Sequence, residues 1–98
     1  MGAPWALQHS AECLKRWRDD CEPDEVAVKC TGEWLLNELR YDPYQPNAGP
    51  VGPPFTVTTW LAKLPCELAD GRRVVCTYDI RSATRQIVIS LITDLENP

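Results

Sequence analysis

Arg72-Arg73-Val74-Val75-Cys76-Thr77-Tyr78-Asp79-Ile80, then Arg81-Ser82-Ala83-Thr84, then Arg85-Gln86-Ile87-Val88-Ile89-Ser90-Leu91-Ile92-Thr93 is the stretch whose reading decides the fold. Its two outer pieces are β-branched and apolar, and the piece between them is a turn. Alternation places Val74, Cys76, Tyr78 and Ile80 on one face, with Ile87, Ile89 and Leu91 able to join them. Val75, Thr77 and Asp79 then point the other way. A two-stranded hairpin is not stable alone in water, so it needs further strands and a cover for its apolar face.

Working back from the hairpin, Asp70-Gly71 is a strong turn signal. Phe55-Thr56-Val57-Thr58-Thr59-Trp60-Leu61-Ala62 reads as a third strand, which Leu64-Pro65-Cys66-Glu67-Leu68 either prolongs or interrupts. Residues 43–54, together with Asp42, are rich in proline and glycine and read as a surface loop, not helix or central strand. A proline-rich partner ligand is the competing reading of that loop.

Further back, Ala27, Val28, Thr31, Trp34, Leu35 and Leu39 form one helical stripe from Pro23, at the first helical position, to about Arg40. Gly32 lies inside it and costs about 1 kcal/mol relative to Ala, which implies a close approach to another element. Leu14, Trp17 and Cys21 mark a first helix from about Ala11 to Asp20, with Ser10 as its N-cap. Trp5-Ala6-Leu7-Gln8-His9 is a short edge strand. Glu96-Asn97-Pro98 reads as a frayed end. The expected fold is a single α+β domain over 1–98: short strand, helical hairpin, loop, then a three-stranded antiparallel meander, with the helices on one face.

The chain has 98 residues and a formal net charge of −4. Nine acids and five bases give residues 1–50 a net of −4, while five of each leave residues 51–98 neutral. That balance argues against a general nucleic-acid binder, because phosphate binding rests on Lys and Arg. The five cysteines cannot all pair within the chain, no apolar leader core follows Met1, and no run is long enough to span a membrane. The expectation is a cytoplasmic protein with reduced thiols and no membrane association.

Chemical constellations are sparse. The cysteines have no Cys-x-x-Cys spacing and His9 is the only histidine, so neither a metal site nor a cofactor is expected. His9 reads as a surface residue, and Cys66, after a proline near a turn, is the best thiol nucleophile candidate of a weak set. Asp19-Asp20-Cys21-Glu22-Pro23-Asp24-Glu25 lacks the spacing of a calcium loop and reads as a solvated inter-helix turn. The basic residues are more informative. Arg72 and Arg73 open one strand, Arg81 and Arg85 flank the last turn, and Lys63 ends the preceding strand. Together they frame a candidate phosphate-binding patch, unless alternation divides them between faces or they only keep the strand ends soluble.

Three segments carry a family resemblance. Trp5-Ala6-Leu7-Gln8-His9-Ser10-Ala11-Glu12-Cys13-Leu14-Lys15-Arg16-Trp17 resembles the strand-to-helix opening of RelE/ParE-type, plasmid-stabilisation-like toxins. Trp34-Leu35-Leu36-Asn37-Glu38-Leu39-Arg40-Tyr41-Asp42-Pro43 is similar to their second helix. Val74–Ile80 with Ile87–Ile92 resembles their terminal hairpin. The resemblance implies a cytoplasmic toxin of a type II toxin–antitoxin pair, silenced by an antitoxin that wraps it. It acts either as a ribosome-dependent mRNA endonuclease or as a gyrase inhibitor. For an endoribonuclease it implies Arg73 and Arg81 as catalytic and Lys63, Arg72 and Arg85 as nucleic-acid contacts. Two features depart from the pattern: the chain is acidic, and Thr93–Pro98 has neither the Tyr nor the His that endonuclease members often carry there. The alternative is a non-enzymatic protein–protein interaction domain, an adaptor or a phage or plasmid accessory protein, with Trp5 and Trp60 as partner-binding anchors.

Overall fold

Five strands form one sheet in the order β1-β5-β4-β3-β2. They are β1 (Ala6–Gln8), β2 (Ala48–Pro50), β3 (Thr59–Glu67), β4 (Arg73–Arg81) and β5 (Gln86–Leu95). Between β1 and β2 come α1 (Ser10–Cys21), α2 (Glu25–Trp34) and a π-helical turn, Leu35–Leu39. The computed structural model describes residues 3–54 and 58–96. The expected α+β arrangement is what forms, with β1 parallel to β5 and the other pairs antiparallel. Phe55-Thr56-Val57 of the expected third strand and Asn97-Pro98 of the expected frayed end lie outside the described residues.

The inner face of the sheet carries the core. Ala62, Leu64 and Cys66 of β3, Val74, Cys76, Tyr78 and Ile80 of β4, and Ile87, Ile89 and Ile92 of β5 are all buried there. The helices close over them with Cys13, Trp17, Ala27, Trp34, Leu35 and Leu39. Buried polar groups are paired, as a low-dielectric interior requires. The Tyr78 hydroxyl donates to the Pro43 carbonyl (2.8 Å) and the Thr31 hydroxyl to the Ala27 carbonyl one turn back (2.8 Å). Trp17 Nε1 donates to the Asp94 carboxylate at 2.7 Å. Past Val88, where β1 ends, α1 runs alongside β5. Cys13 Sγ there donates to the Ile89 carbonyl (3.6 Å), and Trp17 meets Asp94 further along.

Several expectations are corrected. Leu91 faces outward and Ile92 inward, because Thr77 pairs with Leu91 while Tyr78 pairs with Ile89, leaving Ser90 as a bulge. One extra residue in a period-two pattern reverses every later side chain. The Ser90 hydroxyl lies 2.9 Å from the Thr77 hydroxyl and 3.1 Å from its carbonyl, which ties the bulge in place. In α1 it is Cys13, not Cys21, that joins Trp17 in the core. His9, not Ser10, occupies the N-cap position, with φ 65°. Pro23 stays outside α2, whose N-cap is Asp24. Gly32 makes no close approach: a Cβ placed there meets nothing within 4 Å.

The loop after the helices is tied more firmly than its composition implies. The Arg40 amide reaches back to the Leu35 carbonyl (3.1 Å), closing the π turn. The Asp42 carboxylate then accepts from the Tyr44 amide (3.0 Å), an Asx turn that helps stop the helix before Pro43. Ala48–Pro50 follows as an edge strand on β3, where a proline without an N–H is tolerated. The segment 64–68 prolongs β3 through Glu67, with a register shift between Lys63 and Glu67. Asp70-Gly71 makes the expected turn, with Gly71 at φ 91° and the Arg72 amide on Asp70.

The cysteines also differ from expectation. Cys30 of α2 and Cys66 of β3 are joined in a disulfide, so not all thiols are reduced and Cys66 is no free nucleophile. They stand 36 positions apart in the sequence, and no sequence spacing reveals that α2 and β3 bring them within 5.9 Å (Cα–Cα). Cys13, Cys21 and Cys76 are free. Burial raises the thiols of Cys13 and Cys76 above their ordinary value. Among the described residues no helix is long and apolar enough to cross a membrane.

Candidate functional site

The sheet has a covered face and an open one. On the open face, Val51 after β2, Thr59 and Leu61 of β3, Thr77 and Asp79 of β4, and Val88 and Ser90 of β5 line a shallow concavity of about 440 Å³. These are the outward positions of each strand, so alternation places them. The lining is neutral apart from Asp79, whose carboxylate accepts from the hydroxyls of Thr59 (2.7 Å) and Thr58 (3.4 Å). Leu91 and Leu95 extend the apolar surface along β5, at 46% and 54% exposure.

The five predicted basic residues do not form one patch. Arg73 and Arg81 are the first and last residues of β4. Eight strand steps set them about 26 Å apart, too far to meet at one phosphate. Arg72 donates to Asp94 (3.0 Å) and lies 3.4 Å from Asp70. The hydrogen bond to Asp94, then the charge of Asp70, hold its guanidinium more firmly protonated than usual. Arg73 pairs with Glu67 (2.6 Å) and donates to the Leu64 carbonyl (3.0 Å). Arg85, in the left-handed conformation at the end of the 3₁₀ turn Ser82–Thr84, donates to the Ala3 carbonyl (2.7 Å). Lys63 and Arg81 are exposed, with no ion pair among the described residues.

One pair of predicted residues does meet. Lys63 and Arg73 line a hollow of about 320 Å³ at the β3 edge, together with Trp34, Glu38, Gln45 and Asn47. Gln45 Nε2 donates to the carbonyls of Asp42 (2.7 Å) and Glu38 (3.1 Å), and Asn47 Nδ2 to the Lys63 carbonyl (2.6 Å). Those amides brace the wall of the hollow. The two predicted aromatic anchors are less free than expected. Trp5 is buried, with the Arg85 guanidinium 4.8 Å above its ring, a cation–π contact that seals the edge strand. Trp60 is half-buried on the helix side, edge-on to Tyr44 at 5.3 Å.

Acid–base chemistry at a phosphate needs a base, an acid and a cation within hydrogen-bond reach of the same atoms. His9 lies on the surface at the start of α1, where its Nδ1 is 3.1 Å from the Glu12 carboxylate. Among the described residues no three His, Cys, Asp or Glu side chains converge as a metal set. The arrangement is suited to binding through the open sheet face and its edge. Sequence reasoning missed Tyr44, Val51 and Cys30. The first two sit in the loop, where no periodicity marks a contact, and the third pairs only through the tertiary fold.

No protein-family model, curated protein or solved structure matches this chain.

Proposed function

We propose that the chain is a toxin-like component of a type II toxin–antitoxin pair, of RelE/ParE type, that acts in the cytoplasm by binding its target instead of cutting RNA. The order strand, two helices, meander supports the toxin-like part, together with the three resembling segments. One observation carries the choice of binding over cleavage. The basic residues are divided between opposite ends of β4, while the lining of the open face between them holds no basic residue and offers hydroxyl and aliphatic groups beside the Asp79 carboxylate. A gyrase-type or ribosome-type target would be engaged through that face, and the antitoxin would cover it.

Induced expression in a host cell tests the reading, with growth, transcript length and plasmid supercoiling followed together. Growth arrest with intact transcripts is expected, and Leu91→Asp on the open face should relieve it. Normal growth at strong induction removes the toxic reading. Shortened transcripts that disappear with Arg73→Ala or Arg81→Ala restore the endonuclease.

The second reading is a non-enzymatic interaction domain of the same fold. The exposed Leu91 and Leu95 beside the concavity, whose lining is aliphatic and hydroxyl-bearing apart from Asp79, favour it. A stable partner recovered through that face, with no effect of the chain on growth, distinguishes it from the first.

A further inference from the structure

Among the described residues the Cys30–Cys66 bridge is the one disulfide, and it cross-links α2 of the helical layer to β3 of the sheet. Its two sulfurs are unequally placed. Cys66 is 2% exposed, on the core face of β3. Cys30 is half-buried and lines an open hollow of about 230 Å³ with Glu33, Trp34, Asn37, Glu38 and Pro65. Three of those residues, Trp34, Glu38 and Pro65, also wall the neighbouring hollow that holds Lys63 and Arg73. The bridge therefore sits between a solvent-open approach and the surface where the two predicted basic residues meet.

We propose that Cys30–Cys66 is a redox latch, opened by a dithiol reductant that attacks Cys30 from the hollow, and that its opening frees the α2 end of the helical layer from the β3 edge. The exchange balances as follows. A thiolate of the dithiol attacks Cys30 Sγ, forming a mixed disulfide and expelling Cys66 Sγ, which takes up a proton. The second thiol of the reductant then attacks its own sulfur in the mixed disulfide and releases Cys30 as a thiol. The reductant leaves oxidised, having passed two electrons and two protons to the protein. The released Cys66 thiol stays beside the mixed disulfide and can close back onto Cys30, so a monothiol stalls where a dithiol resolves the mixed disulfide with its own second thiol within one complex.

The consequence is local. The bridge closes a loop that contains the second half of α2, the π turn, the proline-rich loop, β2 and most of β3. Opening it restores chain freedom to that segment. Other ties of α2 to the sheet side are the packing of Ala27, Val28, Thr31 and Trp34 and, at its N-cap, the Asp24 carboxylate that accepts from the Ala69 amide just after β3 (3.2 Å), with no ion pair between α2 and β3 among the described residues. The latch stands whether or not the chain is toxin-like.

The test uses the purified full chain, air-oxidised and after dithiothreitol, with iodoacetamide labelling read by mass spectrometry and amide hydrogen exchange. Oxidised protein should label at Cys21 alone. Reduced protein should label at Cys21 and Cys30, with Cys66 still protected. Amide exchange in residues 25–40 and 63–67 should be at least about tenfold faster in the reduced form and return on reoxidation. The double variant Cys30→Ala with Cys66→Ala should exchange like reduced protein under both conditions. Labelling of Cys30 and Cys66 in air-oxidised protein overturns the proposal. Equal exchange rates in the two forms, or a reductant response in the double variant, overturns it as well.

Discussion

Replacing Asp94 tests whether the buried carboxylate anchors α1 to the end of β5. Its side chain is 1% exposed and serves two donors, Trp17 Nε1 on one oxygen and Arg72 on the other. Asp94→Ala leaves the indole N–H of a fully buried tryptophan without an acceptor, a loss of about 1–3 kcal/mol. Losing a charge-assisted hydrogen bond beyond the neutral average brings the total to about 2–4 kcal/mol. The Arg72 side chain is 44% exposed, so water takes over its charge and adds little. For 98 residues the unfolding entropy is about 0.2 kcal/mol/K, so Tm should fall by about 10–20 °C. Asp94→Asn keeps an acceptor for the indole and should lose less than half as much, and Arg72→Ala should lose less again. Urea unfolding followed by tryptophan fluorescence reads all three. The reasoning is refuted if Asp94→Ala unfolds within about 0.5 kcal/mol of the parent, or if Arg72→Ala matches it.

Other expectations follow from single features. Gly32→Ala should stabilise by about 0.5–1 kcal/mol in the same urea assay, since the added methyl meets open space inside a helix. Burial raises the Tyr78 phenol and the Cys76 thiol above their ordinary values of 10.0 and 9.0, so the native state holds these protons more tightly than the unfolded chain. Stability should accordingly be full below about pH 9 and fall as the pH climbs beyond it; Tyr78→Phe should remove the tyrosine part of that fall, and a Tm flat to pH 11 contradicts the reading. Deleting Ser90 should restore plain alternation with Ile92 still inward, at a cost of about 1 kcal/mol for the lost hydroxyl bond, whereas deleting Val88 should unfold the chain. Lys63→Ala and Arg81→Ala should each change stability by no more than about 0.5 kcal/mol, so any effect of theirs on growth or binding reports function.

The elements themselves were legible because local patterns encode them. The β-branched runs of β4 and β5, the Asp70-Gly71 turn and the apolar stripe of α2 each repeat within a few residues, which is the range over which backbone geometry imposes a period. The bulge at Ser90 was not legible, since a serine between Ile89 and Leu91 fits plain alternation equally well. The edge strand Ala48–Pro50 has no strand propensity and exists because β3 offers it hydrogen-bond partners. The same limit applied to the basic residues. Sequence proximity to the hairpin suggested one patch, but a strand carries its two ends about 26 Å apart, and the acids at Glu67, Asp70 and Asp94 claim the arginines at one end.

By itself the amino-acid sequence determined that this is an α+β chain with a helical layer, an antiparallel meander and an inward stripe on each element, because burial of apolar side chains at fixed periods leaves few other arrangements. Only the tertiary structure decided which residues meet. It joined Cys30 to Cys66, set Trp17 on Asp94, roofed Trp5 with Arg85 and parted Arg73 from Arg81. Those pairings depend on the register and crossing of elements that lie far apart along the chain, and long-range geometry of that kind has no local signature to read.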